Sequence, residues 1–180
     1  YSTGRSPIST ALALEGIKRF DHALRAVARD PEAIEHRAEL LVAAHLSGMV
    51  LASARSCLHH AVCHVIGATC GVPHGLANTV MLPHTVRFNQ SAAPDCLSPI
   101  EAVLGESLSA LPPGDDGFLF SWLANLQAEC RLPGSLRDIG VARDALPDIA
   151  RKVMHERGLA FNPRPVNKPD DIEAILEAAW

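Results

Sequence analysis

The stretch LHHAVCHVIGATCGVPHG, residues 58–75, places four of the chain's nine histidines within eighteen positions. An imidazole can ligate a metal ion as the neutral base or carry a proton near neutral pH, so a cluster this dense points to metal or proton chemistry. No proline interrupts the run from Cys57 to Thr69, and the spacing predicts a helix. On it His60, Cys63, His64 and Gly67 recur at three and four residues and share a face. Leu58, Val62, Val65 and Ile66 fall largely on the other side and are expected to pack inward. Gly67 costs a helix about 1 kcal/mol relative to alanine. A glycine there fits close approach by another backbone or a ligand, which makes Gly67 a candidate cofactor contact. The helix is expected to stop near Thr69, before Cys70-Gly71, with Pro73 fixing the turn that presents His74. Gly75 then leads into a helix that Pro83 must kink or end.

Spacing alone selects His60 and His64 as a two-point chelate, since histidines at i and i+4 on one helix face can hold Zn²⁺. The residues between them are Ala61, Val62 and Cys63, so the general-base glutamate of an HExxH zinc hydrolase is missing. A lone helical histidine is more often a core or surface residue than a ligand, and His22, His36, His45 and His155 are read that way. His59 must point away from its neighbour His60. His84, in LPH, fits a helix end or the rim of a cleft, and Cys63 reads as packing. Arg5 and Arg87 are the candidates to meet a carboxylate.

These side chains need a scaffold, and helix signals recur from end to end. Ser6-Pro7 offers an N-cap and a proline at the first helical position, followed by Ile8, Leu12, Ile17, Phe20, Leu24 and Val27. Asp30-Pro31 repeats the device, with Ile34, Ala38, Leu41, Gly48 and Leu51 as the expected buried stripe. Ser98-Pro99 is expected to open a helix with Ile100, Val103, Leu104, Leu108 and Leu111 on one face, stopped by LPPG. Leu119, Trp122, Leu123, Leu126 and Cys130 mark another. Leu146, Ile149 and Val153 mark one ending at Gly158, and Ile172, Ile175, Leu176 and Ala179 mark the last. Alternating β-branched runs are missing, so the expected fold class is all-α, a single helical bundle spanning residues 1–180. Residues 90–98, 112–117 and 158–170 are expected loops.

Composition sets the outer limits. A net charge of −4 with no basic cluster gives no footprint for nucleic acid or an anionic membrane. No apolar run reaches the roughly 18–20 residues of a membrane span. LLVAAHLSGMVLASA, the longest, is broken by His45, Ser47, Gly48 and Ser53 and reads as a buried helix. Five cysteines, odd in number and without CxxC spacing, fit free thiols and a cytoplasmic location. The chain opens YSTGRSPI without a methionine, just short of a strong helix start, and is expected to be part of something longer.

HHAVCHVIGATCGVPHGLANTVMLPHTVRFN resembles the signature of the iron-containing alcohol dehydrogenases, within them the maleylacetate reductase-like branch. SLRDIGV (135–141) and NPRPVNKPDDIEAIL (162–176) are similar to that branch's closing segments, so the resemblance covers essentially the whole chain. It implies a divalent metal, Fe²⁺ or Zn²⁺, held by an Asp and a His of one helix and by two later histidines that match His60 and His74. It also implies that His64 sits near the nicotinamide and the substrate and relays protons. The family's Asp-and-His element and its NAD(P)-binding α/β domain, with a Gly-rich phosphate loop, match nothing in these 180 residues. The resemblance places both upstream of Tyr1.

The expected function is therefore the helical C-terminal domain of a metal-assisted NAD(P)-dependent oxidoreductase. Hydride would pass between nicotinamide and a small-molecule alcohol or oxo-acid, and a homodimer is the expected assembly. A stand-alone helical binding or assembly module is the alternative.

Overall fold

In the computed structural model, residues 1–109 and 117–180 are described, without the side chains of Glu106, Leu108 and Ser109. Among the described residues eight α-helices follow one another: α1 (Pro7–Arg29), α2 (Ile34–Ala54), α3 (Leu58–Cys70), α4 (His74–Asn89), α5 (Pro94–Ser109), α6 (Phe118–Glu129), α7 (Leu146–Val153) and α8 (Pro169–Ala179). Short 3₁₀ turns at Gln90–Ala92, Arg137–Ile139, Arg143–Ala145 and Arg157–Phe161 join them, and no strand occurs among the described residues. The all-α expectation holds.

Two apolar clusters organise the bundle. The larger buries Leu58, Val62 and Ile66 of α3 against Val80 and Met81 of α4, Ile149 and Val153 of α7, and Ile172 and Leu176 of α8. The second gathers Leu119, Trp122, Leu123 and Leu126 of α6 with Val86, Leu97 and Leu104, and half-buried Ile17 and Leu24 of α1 pack on it. α4 contributes to both clusters and so fixes its own first residue, His74, relative to α3.

Several boundaries follow local chemistry. Ser6 caps α1: its hydroxyl accepts the Ser9 amide at 3.2 Å while the Ser9 hydroxyl accepts the Ser6 amide at 2.8 Å. Asp30-Pro31 does not cap α2. The Asp30 amide closes α1 on the Ala26 carbonyl, its carboxylate accepts the Glu32 amide at 3.1 Å, and α2 begins at Ile34 without a side-chain cap. α5 starts at Pro94, ahead of Ser98-Pro99, because Pro94 supplies the fixed φ of a first helical residue. Pro99 sits inside the helix. The expected contact of Leu108 and Leu111, the stop at 111–114 and most of the loop at 112–117 lie outside the described residues. α7 ends at Val153. Gly158 instead lies where a Cβ would come within 3.3 Å of the Cys57 carbonyl and the Ser56 hydroxyl, so its role is to let this turn reach the start of α3.

The stripe expected to bury α2 is exposed. Ala38 and Gly48 face outward, as do Ile34 at 79%, Leu41 at 72% and Leu51 at 45% exposure, whereas Ala43 and Ala54 are buried. Small residues allow α1 and α2 to approach closely, and this seam carries the large apolar side chains to the outer surface. Ile8 and Phe20 of α1 are exposed too. Among the described residues, no single helix is long and apolar enough to cross a membrane. α2 and α3 pass that test only together, and they meet at 104°.

Pro83 neither ends nor breaks α4, which runs on to Asn89. A proline at 83 leaves the Thr79 carbonyl without its intrahelical amide. The Gln127 side-chain amide of α6 donates to that carbonyl at 2.6 Å, tying α6 to the helix that carries His74. Farther along, Asn89 and Asn162 exchange amide hydrogen bonds at 3.1 and 2.8 Å, which pins the extended segment before α8 onto α4.

Buried Asp21 is the polar joint between α1, α5 and α6. It accepts from the Trp122 indole at 3.0 Å, from Arg25 Nε at 3.2 Å and from the Ser107 hydroxyl. Asp21→Ala strands these donors, and it is expected to lower unfolding stability by about 2–4 kcal/mol. Urea unfolding checks this, and a loss below about 1 kcal/mol contradicts the role.

Candidate metal centre

α3 places His60 and His64 one turn apart, and its end brings in the third imidazole. Gly71 adopts the left-handed conformation (φ 67°) and its amide closes the helix on the Gly67 carbonyl at 3.0 Å. This cap favours glycine, because a side chain strains the backbone at that positive φ. Two residues later Pro73 precedes α4, so His74 returns toward α3 at the first position of the next helix.

One ring nitrogen from each of His60, His64 and His74 lies within 4.8 Å of the others, the sole grouping of this kind among the described residues. Ring centroids are 4.1 Å apart for His60–His64, 5.1 Å for His60–His74 and 5.4 Å for His64–His74. His60 is half-buried while His64 and His74 are exposed. Burial, and then the proximity of His64 and His74, pushes the His60 pKa down, with Glu156 opposing. Three imidazoles gathered this closely offer a set of nitrogen donors that suits Fe²⁺ or Zn²⁺. With nitrogens this close, the residues present fit a divalent metal.

The cluster lies between two depressions. His60 and His74 line a cavity of about 620 Å³ that also receives Arg5, Arg55 and Asp95. His64 opens instead onto a separate hollow beside Lys152 and Glu156. The two faces of the cluster are therefore distinct.

Cys63 is not on the open face. It stands 100° from His64 around the helix and is fully buried, and burial pushes its thiol up to about 12. That environment makes it a packing residue. Gly67 is half-exposed, and a Cβ there would touch the Val72 carbonyl at 3.4 Å, so the approaching backbone belongs to the chain's own turn. His59 points away from the cluster, with Nε2 3.1 Å from the Asn78 carbonyl. A carbonyl only accepts, so the proton of neutral His59 sits on Nε2.

Burial pushes the His59 pKa down to about 4, against the Asn78 hydrogen bond and with help from His60 and His74. The unfolded imidazole takes its proton near 6.5. Between these values the unfolded state binds more protons, so stability rises with pH from about 4 to about 6.5 and then levels off. His59 is expected to contribute about 3 kcal/mol across that range. Imidazole NMR checks the origin, and a His59 midpoint near 6.5 in the folded protein contradicts it.

The remaining expectations separate cleanly. Arg5 lines the cavity of His60 and His74. Arg87 lies in another hollow with His84, where both meet the Phe120 ring, at 5.1 and 5.7 Å. His22 and His36 meet edge-on at 5.4 Å across α1 and α2, and His45 and His155 are exposed. Sequence reasoning missed Arg55, Lys152 and Glu156. Arg55 immediately precedes the histidine segment but carries no motif. Lys152 and Glu156 arrive only through packing of α3 on α7 and on the turn that follows it.

The profile described as "Fe-containing alcohol dehydrogenase family, C-terminal" matches residues 1–180. The maleylacetate reductase of Rhizobium sp. is 31% identical over 180 residues, which are 100% of this chain and 47% of that protein. The 1,3-propanediol dehydrogenase of Citrobacter freundii is 30% identical over 178 residues, 98% of this chain and 46% of that protein. The crystal structure of maleylacetate reductase from Agrobacterium tumefaciens superposes with a TM-score of 0.86 at 31% identity, covering 100% of this chain and 47% of the other. The chain thus spans about half the length of the curated relatives it matches. It belongs to the Fe-containing alcohol dehydrogenase family, matching the family's C-terminal part from end to end.

Proposed function

We propose that this chain forms the metal- and substrate-facing part of an NAD(P)-dependent oxidoreductase that interconverts an alcohol and a carbonyl compound. The observation that carries the reading is the convergence of His60, His64 and His74 beside a cavity large enough for a small substrate. Relatives whose names include both maleylacetate reductase and 1,3-propanediol dehydrogenase support the reaction class and leave the substrate to experiment.

His60 and His74 would hold Fe²⁺ or Zn²⁺ on the cavity side. The bound metal supplies Lewis-acid polarisation of the substrate oxygen. His64, whose ring centroid lies 4.1 Å from that of His60 and 5.4 Å from that of His74, would carry the proton that the substrate oxygen gains on reduction or loses on oxidation. Its exposure gives that proton a path to solvent through the hollow beside Lys152 and Glu156. Gly67, one turn beyond on the same helix, is the proposed point where the nicotinamide nears α3. Further metal ligands and the residues that grip the dinucleotide phosphates are assigned to the part of the relatives outside the match.

Turnover by the full-length protein tests this. NAD(P)H oxidation with a carbonyl substrate is expected to vanish after chelation and to return on adding Fe²⁺ or Zn²⁺. Full activity in metal-free protein contradicts the metal role, and no turnover with any carbonyl or alcohol contradicts the reaction class.

A further inference from the structure

Two arginines share the histidine-lined cavity. Arg5 follows the first turn of the chain, and Arg55 ends α2, so residues fifty positions apart bring their cationic side chains to one space. Asp95 is the one carboxylate lining it, and neither arginine makes an ion pair among the described residues. Arg5 Nη1 donates to the Ser2 carbonyl at 3.4 Å, which orients it without neutralising it. Ala13, Leu14, Val50 and Leu51 give the cavity apolar walls that strengthen any charge interaction inside.

Arg55 is also strained. Its backbone sits at φ 66°, ψ 152°, a region where glycine is at ease and a side chain is not. A large cationic residue is held at this corner although glycine would relieve it. Gly4 packs beside its stem: a Cβ on Gly4 would lie 3.5 Å from Arg55 Cγ. The first turn and the end of α2 therefore fix the root of the Arg55 side chain at the cavity.

We propose that Arg55, with Arg5, is the specificity determinant of this cavity: the pair binds a carboxylate on the substrate while the reacting oxygen lies at His60 and His74. The proposal rests on the oxidoreductase reading for its substrate but not for its binding site. A guanidinium meets a carboxylate with paired charge-assisted hydrogen bonds, and a neutral alcohol offers no such partner. The enzyme accordingly favours oxo- or hydroxy-carboxylates over neutral diols.

Calorimetry on the full-length protein with succinate and its neutral analogue succinamide tests this directly. The unmodified protein is expected to bind succinate at least tenfold more tightly. Arg55→Gly is expected to weaken succinate binding by roughly 10- to 100-fold, to leave succinamide binding as it was, and to raise Tm by relieving the strain. Arg5→Gln is expected to weaken succinate in the same direction with no gain in Tm. Equal binding of the two probes by the unmodified protein, or succinate binding by Arg55→Gly at full strength, overturns the proposal. Kinetics supply a second arm: Arg55→Gly should lower the ratio of kcat/KM for an oxo-carboxylate to that for its methyl ester. If no carbonyl compound turns over at all, the oxidoreductase reading fails, while the calorimetric result still decides the carboxylate site.

Discussion

His64→Ala in the full-length protein lowers kcat by roughly 10²- to 10⁴-fold, the range for loss of a positioned proton carrier, while metal content stays at the unmodified level. The expectation comes from position. His64 shares the cluster with His60 and His74 yet opens onto a different hollow, away from the cavity that the other two line. A side chain there can exchange protons with solvent without lying between metal and substrate. The fold is expected to be unaffected, because His64 is exposed and contributes nothing to the α3 core formed by Leu58, Val62 and Ile66. Added imidazole should restore part of the rate by entering the hollow. A kcat within about threefold of the unmodified enzyme defeats the relay assignment. Loss of metal in this variant instead makes His64 a ligand, as the i, i+4 spacing alone would have it.

His60→Ala and His74→Ala have the complementary signature: metal is lost and turnover disappears with it. Groups that only orient a ligand are worth roughly 10- to 100-fold in metal affinity, and loss of a ligand exceeds that. The two variants should differ in stability. His60 is half-buried on a helix packed against α7, whereas His74 is exposed at the first turn of α4. Its replacement should therefore remove metal with little change in the unfolding of metal-free protein. Metal analysis by mass spectrometry checks both, and an undiminished metal content in both variants removes the ligand assignment.

The histidine segment was legible in the sequence because its geometry is local. Helical spacing places His60 and His64 together, Gly71 stops the helix, and Pro73 starts the turn that returns His74, all within fifteen residues. The inward faces of α6 and α8 were equally legible, since Leu119, Trp122, Leu123, Ile172 and Leu176 follow one strong period. α2 was not. Its apolar residues recur at helical spacing, but the contact with α1 runs through Ala43 and Leu46 beside Gly16, and periodicity carries no information on which face a partner takes. Pro83 shows the same limit: the continuation of α4 depends on Gln127, forty-four positions away, reaching the Thr79 carbonyl. Arg55 and Glu156 belong to this class as well. Glu156 gains its place only when α7 and the turn after it pack on α3, whereas Arg55 stands just ahead of α3 in the chain, and neither sits in a pattern that spacing could reveal.

The division of labour within the histidine cluster is the centre of this account, and one measurement addresses it directly. Crystals of the full-length protein grown with Fe²⁺ or Zn²⁺ should give an anomalous difference peak at the metal's absorption edge. One peak is expected, bonded to a ring nitrogen of His60 and a ring nitrogen of His74, with His64 unbonded on the side facing Lys152 and Glu156. A peak bonded to His60 and His64 with His74 turned away, or no peak at the cluster in protein that is fully active, would contradict it.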